Sequence, residues 1–257
     1  MKIEDYLASL PQSIISGQDV QLPDNAFREI FRFAQLNKDD VFYHLGCGNG
    51  KGIAIAAEFG VKKAVGIDNN VEKISIAKKL LEEKKISNGI LECKDVLESD
   101  ISDGTVILFW FSDQSIIEKM MPKFSSLKEG CRIITIWGPL PGVLPDRVDF
   151  PYILNMVPFK KASSLQEQLL SVFGTDCIDF VVAWEFAERY TRAIGSPEAG
   201  NDRFLTILQS LVIWINAKNL GVACGHEIPI PIKNYISLLR TYFNIDVEYL
   251  LNEEQDK

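Results

Sequence analysis

The chain has 257 residues, 47% of them apolar and 24% charged, with a formal net charge of −8 and a pI near 5.0. That is the composition of an ordinary globular protein. It argues against broad electrostatic binding to nucleic acid, which needs clustered Lys and Arg, and the longest apolar runs are far short of a membrane span.

In chain order, residues 1–22 read as a short helix, Ile3 to Leu10, closed by Pro11, followed by a loop. Asp24 or Asn25 is expected to cap a helix whose apolar positions Phe27, Ile30 and Phe31 share one side. Residues 41–52, VFYHLGCGNGKG, then read as a buried strand, a glycine-rich turn and the first turn of a helix. Val41, Phe42 and Tyr43 supply the β-prone run. Gly46, Gly48 and Gly50 follow at every second position, where only glycine turns so tightly and lets a ligand approach the backbone. The helix to Phe59 presents its first free N–H groups to the same spot.

Spacing separates the nucleotide loops that compete here. A phosphate-cradling P-loop needs a glycine at Leu45 and a Ser or Thr at Gly52, so it fails. The dinucleotide pattern G-x-G-x-x-G fails at Lys51 or Ile53. What stands is G-x-G-x-G, Gly46-Cys47-Gly48-Asn49-Gly50. Residues 64–68, AVGID, form a second buried strand that ends in Asp68. This lies about twenty residues after the loop, the distance at which a carboxylate reads ribose hydroxyls.

A helix starts at Asn69-Asn70, with Asn69 and Glu72 in the form of a capping box and Ile74, Ala77, Leu80 and Leu81 as its buried stripe. Strand three is Gly89 to Cys93, followed by Asp95 and Val96. Thr105 to Phe111 is a continuous apolar run suited to a central parallel strand, and Trp110 to Gln114 should border the reacting groups at its carboxyl tip. Ser115 and Glu118 form a second capping box, and Pro122 should interrupt that helix. Cys131 to Trp137 is a fifth strand. This alternation builds a parallel sheet with right-handed crossovers. Residues 138–151 carry four of the eleven prolines and lead into two β-like runs, Arg147 to Phe150 and Tyr152 to Phe159, which fit an antiparallel edge hairpin.

From about residue 162 the pattern is helical: Ser164 to Phe173, Asp176 to Ile194 stopped by Gly195-Ser196-Pro197, Asp202 to Leu220, and Ile232 to Phe243. Asn252 to Lys257 are expected to fray. The division expected is residues 1–161 as one α/β domain and 162–257 as a helical accessory domain or cap. The five cysteines, Cys47, Cys93, Cys131, Cys177 and Cys224, contain no C-x-x-C pair and are read as reduced residues of a cytoplasmic protein. With His44 and His226 they match no familiar metal spacing.

Residues 20–160 resemble the class I S-adenosylmethionine (SAM) methyltransferases, and most closely the archaeal protein-lysine methyltransferases related to Dot1. The likeness is carried by VFYHLGCGNG, KKAVGID and DGTVILFWF…LKEGCRIIT. It implies a Rossmann-like, mostly parallel sheet with an antiparallel edge strand, to which this chain appends an all-α region. It also implies that Gly46, Cys47, Gly48, Asn49 and Gly50 pass under the methionine part of SAM. Asp68 with Asn69 would hold the ribose, and Asp95 and Val96 the adenine. His44 stands where the group has an acid near the cofactor ammonium. The tip of strand four, FSDQ, lacks the Asn/Asp-Pro-Pro-aromatic motif, and Trp137-Gly138-Pro139 departs from the lysine enzymes.

In this reading Trp110 and Phe111 line an acceptor channel, and Asp113 takes the proton or orients the amine. The methyl acceptor is a protein lysine or, alternatively, a small molecule closed in by a helical lid. A third reading is a catalytically weak SAM-fold module whose helical region binds a partner. No metal, nucleic acid or membrane partner is expected.

Overall fold

The computed structural model describes residues 22–111, 113–136, 138–194, 203–225 and 227–248. The expected N-terminal helix, Ser112, Trp137, the Gly195-Ser196-Pro197 stop, Asp202, His226 and the C-terminal Asn252 to Lys257 lie outside them. Chain packing divides the protein into two units, with residues 22–172 making up the first.

The first unit runs α1 (Asp24–Phe33), β1 (Val41–Leu45), α2 (Lys51–Glu58), β2 (Lys63–Asp68), α3 (Val71–Glu83), β3 (Gly89–Cys93), β4 (Val106–Phe109), α4 (Gln114–Ser125) and β5 (Arg132–Ile136). There follow β6 (Val143–Leu144), β7 (Arg147–Asp149), β8 (Tyr152–Met156), β9 (Lys160–Lys161) and α5 (Leu165–Phe173). Seven strands form one sheet in the order β3-β2-β1-β4-β5-β8-β7. The first five are parallel, and β8 and β7 close the edge antiparallel. The chain winds outward from β1 to β3 and then returns to β4, so the direction of winding reverses between β1 and β4. In an open parallel sheet a ligand crevice lies outside the carboxyl ends at that reversal.

Alternation along β1 decides which side chains face which layer. Tyr43 and Leu45 join Val65, Ile67, Ile107, Phe109 and Ile133 against Met120 and Phe124 of α4. Phe42 and His44 point the other way, towards α1, where Phe31 meets Phe42 at 5.0 Å and Phe27 meets His44 at 5.6 Å between ring centroids. Strands β1 and β4 are buried along their whole length, as suits runs that are apolar apart from His44. Arg132 ties the far end of the sheet: it donates to the carbonyls of Ala34 (2.7 Å) and Gln35 (3.0 Å) and pairs with Asp40, whose carboxylate also accepts the Thr105 hydroxyl at 2.8 Å.

The helix starts differ from the expectation. Helix α1 follows Pro23 without a side-chain cap. Asn70, not Asn69, caps α3 by accepting the Lys73 N–H at 3.0 Å, because Asp68 takes the Asn70 N–H at 2.9 Å and delays the helix by one residue. Asp113, not Ser115, caps α4, accepting from Ser115 at 2.8 Å and Ile116 at 3.3 Å. Helix α4 continues through Pro122 to Ser125. The β6–β9 ribbon was not anticipated, since two-residue strands carry no periodicity. Beside it Gln168 of α5 donates to the carbonyls of Leu140 and Val143, both at 2.8 Å, so α5 packs with the α/β unit.

The second unit contains α6 (Phe180–Ile194), α7 (Arg203–Asn219) and α8 (Ile230–Phe243). Ala183 and Ala187 of α6 and Leu211, Trp214 and Ile215 of α7 are buried, and α6 and α7 pack against each other. The reduced state expected for all cysteines is corrected here: Cys177 and Cys224 form a disulfide, with Cα atoms 5.0 Å apart. Residues 47 apart give no spacing signal, because the fold alone brings them together. No helix among the described residues is long and apolar enough to cross a membrane, and among them no cluster of His, Cys, Asp and Glu could hold a metal ion.

Candidate functional site

The glycine loop sits at the carboxyl end of β1, beside the reversal point. Gly46, Gly48 and Gly50 have φ of 75°, 54° and 79°, in the left-handed region where a side chain is strained. The loop folds back on β2: the N–H groups of Gly46 and Cys47 donate to the Ile67 carbonyl at 2.8 and 3.0 Å. Gly48 N–H donates to the Asp68 carboxylate at 2.8 Å. Asp68 therefore braces the loop with one oxygen and starts α3 with the other. A carboxylate offers about four lone-pair sites, so acceptor capacity remains for two ribose hydroxyls. Asn49 is half-buried between Gly48 and Gly50, and Asn69 is exposed next to Asp68.

The Cys47 side chain turns inward, 4% exposed, and lies over Gly66, where an added Cβ would stand 2.8 Å from its sulfur. It thus offers the site only its main chain. Gly66 was not singled out from the sequence, although a lone glycine inside an apolar strand is a known sign of close approach. Ala77, expected in the buried stripe of its helix, lies against the loop as well: its Cβ would stand 2.7 Å from a Cβ at Gly50.

Beyond β3, Asp95 is exposed and one of its carboxylate oxygens accepts the Leu97 N–H at 2.9 Å. Val96 is 6% exposed and belongs to the core beside Leu45, Ile67 and Phe109, so most of its surface serves the fold. At the tip of β4, Trp110 and Phe111 are half-buried. Phe111 stacks on Phe109 with centroids 4.8 Å apart and reaches the glycine loop, its Cζ 3.2 Å from where a Cβ on Gly46 would stand. Phe109 meets Phe124 edge-on at 5.0 Å, so a ladder of three rings ends on the loop. Asp113 is exposed, one of its oxygens committed to capping α4.

His44 lies on the α1 side of the sheet, 8% exposed. Its Nδ1 is buried without a hydrogen-bond partner among the described residues, and Gly52 leaves the space for its ring. Burial lowers its pKa from 6.5 to about 4, because a charged ring there would lose its water. The folded state thus binds its proton more weakly than the unfolded chain. Stability is full above pH 6.5 and falls as pH drops towards 4. Between pH 7 and 4.5 the loss from this group should be roughly 2–3 kcal/mol. Urea unfolding at the two pH values should show this loss in the wild type and its absence in His44→Phe; equal losses in both would mean that the ring titrates normally.

The three left-handed glycines, the braced carboxylate at the tip of β2 and the aromatic edge at β4 suit a nucleoside-bearing cofactor with no pyrophosphate. The comparisons with known proteins agree. Residues 36–131 match the family model described as a methyltransferase domain. A protein-lysine N-methyltransferase of Saccharolobus islandicus (strain REY15A) is 35% identical over 119 residues, which cover 45% of this chain and 73% of that protein. The crystal structure of an RNA methyltransferase from Salinibacter ruber, in complex with S-adenosyl-L-homocysteine, superposes with a TM-score of 0.52 at 25% identity, over 57% of this chain and 99% of that one. The chain belongs to the class I SAM-dependent methyltransferases, in the family of the archaeal protein-lysine N-methyltransferase. It is an enzyme, and SAM is its cofactor.

Proposed function

We propose that this methyltransferase acts on lysine side chains of proteins. The observation that carries the reading is the 35% identity to an archaeal protein-lysine N-methyltransferase across 73% of that protein. When bound, SAM supplies a methyl group already activated by its sulfonium. In this reading the chain's own work is alignment. The glycine loop and Asp68 hold the cofactor, and Asp95, Val96 and Asn69 border its nucleoside. Phe111, and Trp110 beside it, supply an apolar wall that favours the neutral amine by desolvation. Asp113 orients the amine with the oxygen that does not cap α4. A cytoplasmic location is part of the proposal and rests on composition alone.

The test is transfer of labelled methyl groups from SAM to a cell lysate, separated afterwards into protein, RNA and small-molecule fractions. The expected label is on protein, mapping to lysine by mass spectrometry. Phe111→Ala should lower the transfer rate at least tenfold while cofactor affinity changes only a few-fold, because the wall acts on the amine more than on the nucleoside. Label confined to RNA or to small molecules would overturn the lysine reading.

A further inference from the structure

The cysteines stand in contrasting environments. Cys47 and Cys131 are 4% and 2% exposed. Burial pushes both thiols up, Cys131 to about 12, so neither presents a thiolate for exchange. Cys93 is exposed at the tip of β3 in the other unit. Cys177 and Cys224 are bonded to each other, and both are only half-buried.

The segments that carry this pair are also joined by their main chains. Ile178 N–H donates to the Val222 carbonyl at 2.9 Å, and Cys224 N–H to the Ile178 carbonyl at 3.0 Å, forming a parallel bridge between Ile178 and Ala223. The Thr175 hydroxyl donates to the Cys177 carbonyl at 2.7 Å. Cys177 directly precedes this bridge on the way into α6, and Cys224 follows it on the way out of α7. The disulfide therefore closes the open end of the α6–α7 pair. After reduction, the two main-chain bonds would still hold the sulfurs near each other.

We propose that Cys177–Cys224 is a reversible redox latch on the helical unit, opened by a dithiol reductant and closed again by oxidation. A thiolate of the dithiol attacks one sulfur, the Cys177–Cys224 bond breaks, and a mixed disulfide forms. The second thiol of the reductant resolves it. Two electrons and two protons pass to the cysteine pair, and the dithiol leaves as its own disulfide. The buried thiols take no part. With the covalent tie gone, the α6–α7 pair opens more often, while the α/β unit keeps its packing.

The test uses the full chain, purified without reductant and titrated with dithiothreitol. Alkylation followed by peptide mass spectrometry reads the cysteine pair, limited trypsin digestion reads the helices, and titration with S-adenosyl-L-homocysteine reads the α/β unit. The expected result is that native protein gains two alkylated sites, Cys177 and Cys224. Cleavage within residues 173–248 should rise at least tenfold and fall back on treatment with oxidised glutathione, with cofactor affinity within two-fold. Cys177→Ser should resemble the reduced protein and ignore dithiothreitol. A pair already free before reduction, a bond that yields only after denaturation, or cleavage unchanged by reduction would each overturn the latch.

Discussion

Replacing Asp68 with alanine is expected to weaken SAM binding at least 100-fold. Each hydrogen bond to a charged group contributes about 1.5–3 kcal/mol, and two ribose hydroxyls would lose theirs together. The change would also release Gly48, whose N–H rests on the carboxylate at 2.8 Å, so the loop would lose its brace on β2. Asp68→Asn should fall between wild type and alanine. Its single amide oxygen accepts, but its NH2 faces a site built from donors. Calorimetric titration with SAM measures the three affinities, and a melting curve for each shows whether the fold persists. Equal affinity in wild type and Asp68→Ala would remove this carboxylate from the cofactor site.

Gly50→Ala should cost about 2–5 kcal/mol of stability. A left-handed alanine carries about 1–2 kcal/mol of strain, and overpacking adds about 1–3 kcal/mol. The overpacking is severe because the new Cβ would stand 2.7 Å from the Ala77 Cβ and 3.2 Å from its Cα, so two helices, not one flexible side chain, must separate. Gly60→Ala is the control. It has nearly the same φ, +76°, with nothing within 4 Å of the added Cβ, and should lose only the strain. Urea unfolding followed by circular dichroism gives both values. If Gly60→Ala costs as much as Gly50→Ala, the contact between the loop and α3 contributes nothing.

The frame of the fold was legible because its signals are local. The β-prone stretches read at Val41 to Tyr43, residues 64–68 and Thr105 to Phe111 became the parallel strands Val41–Leu45, Lys63–Asp68 and Val106–Phe109, since a strand covered on both faces is mostly apolar. Arg147–Asp149 and Tyr152–Met156 became the antiparallel edge. Helix caps were off by one or two residues: Asn69 and Asn70, or Asp113 and Ser115, are all acceptable caps, and a neighbouring turn chooses between them. The Cys177–Cys224 pairing was not legible, because it depends on where α6 and α7 return the chain.

The α/β winding, the glycine loop, the carboxylate about twenty residues downstream and the cofactor class that these imply are all written along the chain, because spacing along one strand–turn–helix is a one-dimensional property. Where each side chain around that loop points follows from the packing of the whole sheet. Sheet register turns Cys47 onto Gly66, and His44 towards Phe27. It brings Phe111, far along the chain, to the surface of Gly46. Neighbours across a sheet are set by which strands pair, and the chain makes that choice only when the core closes.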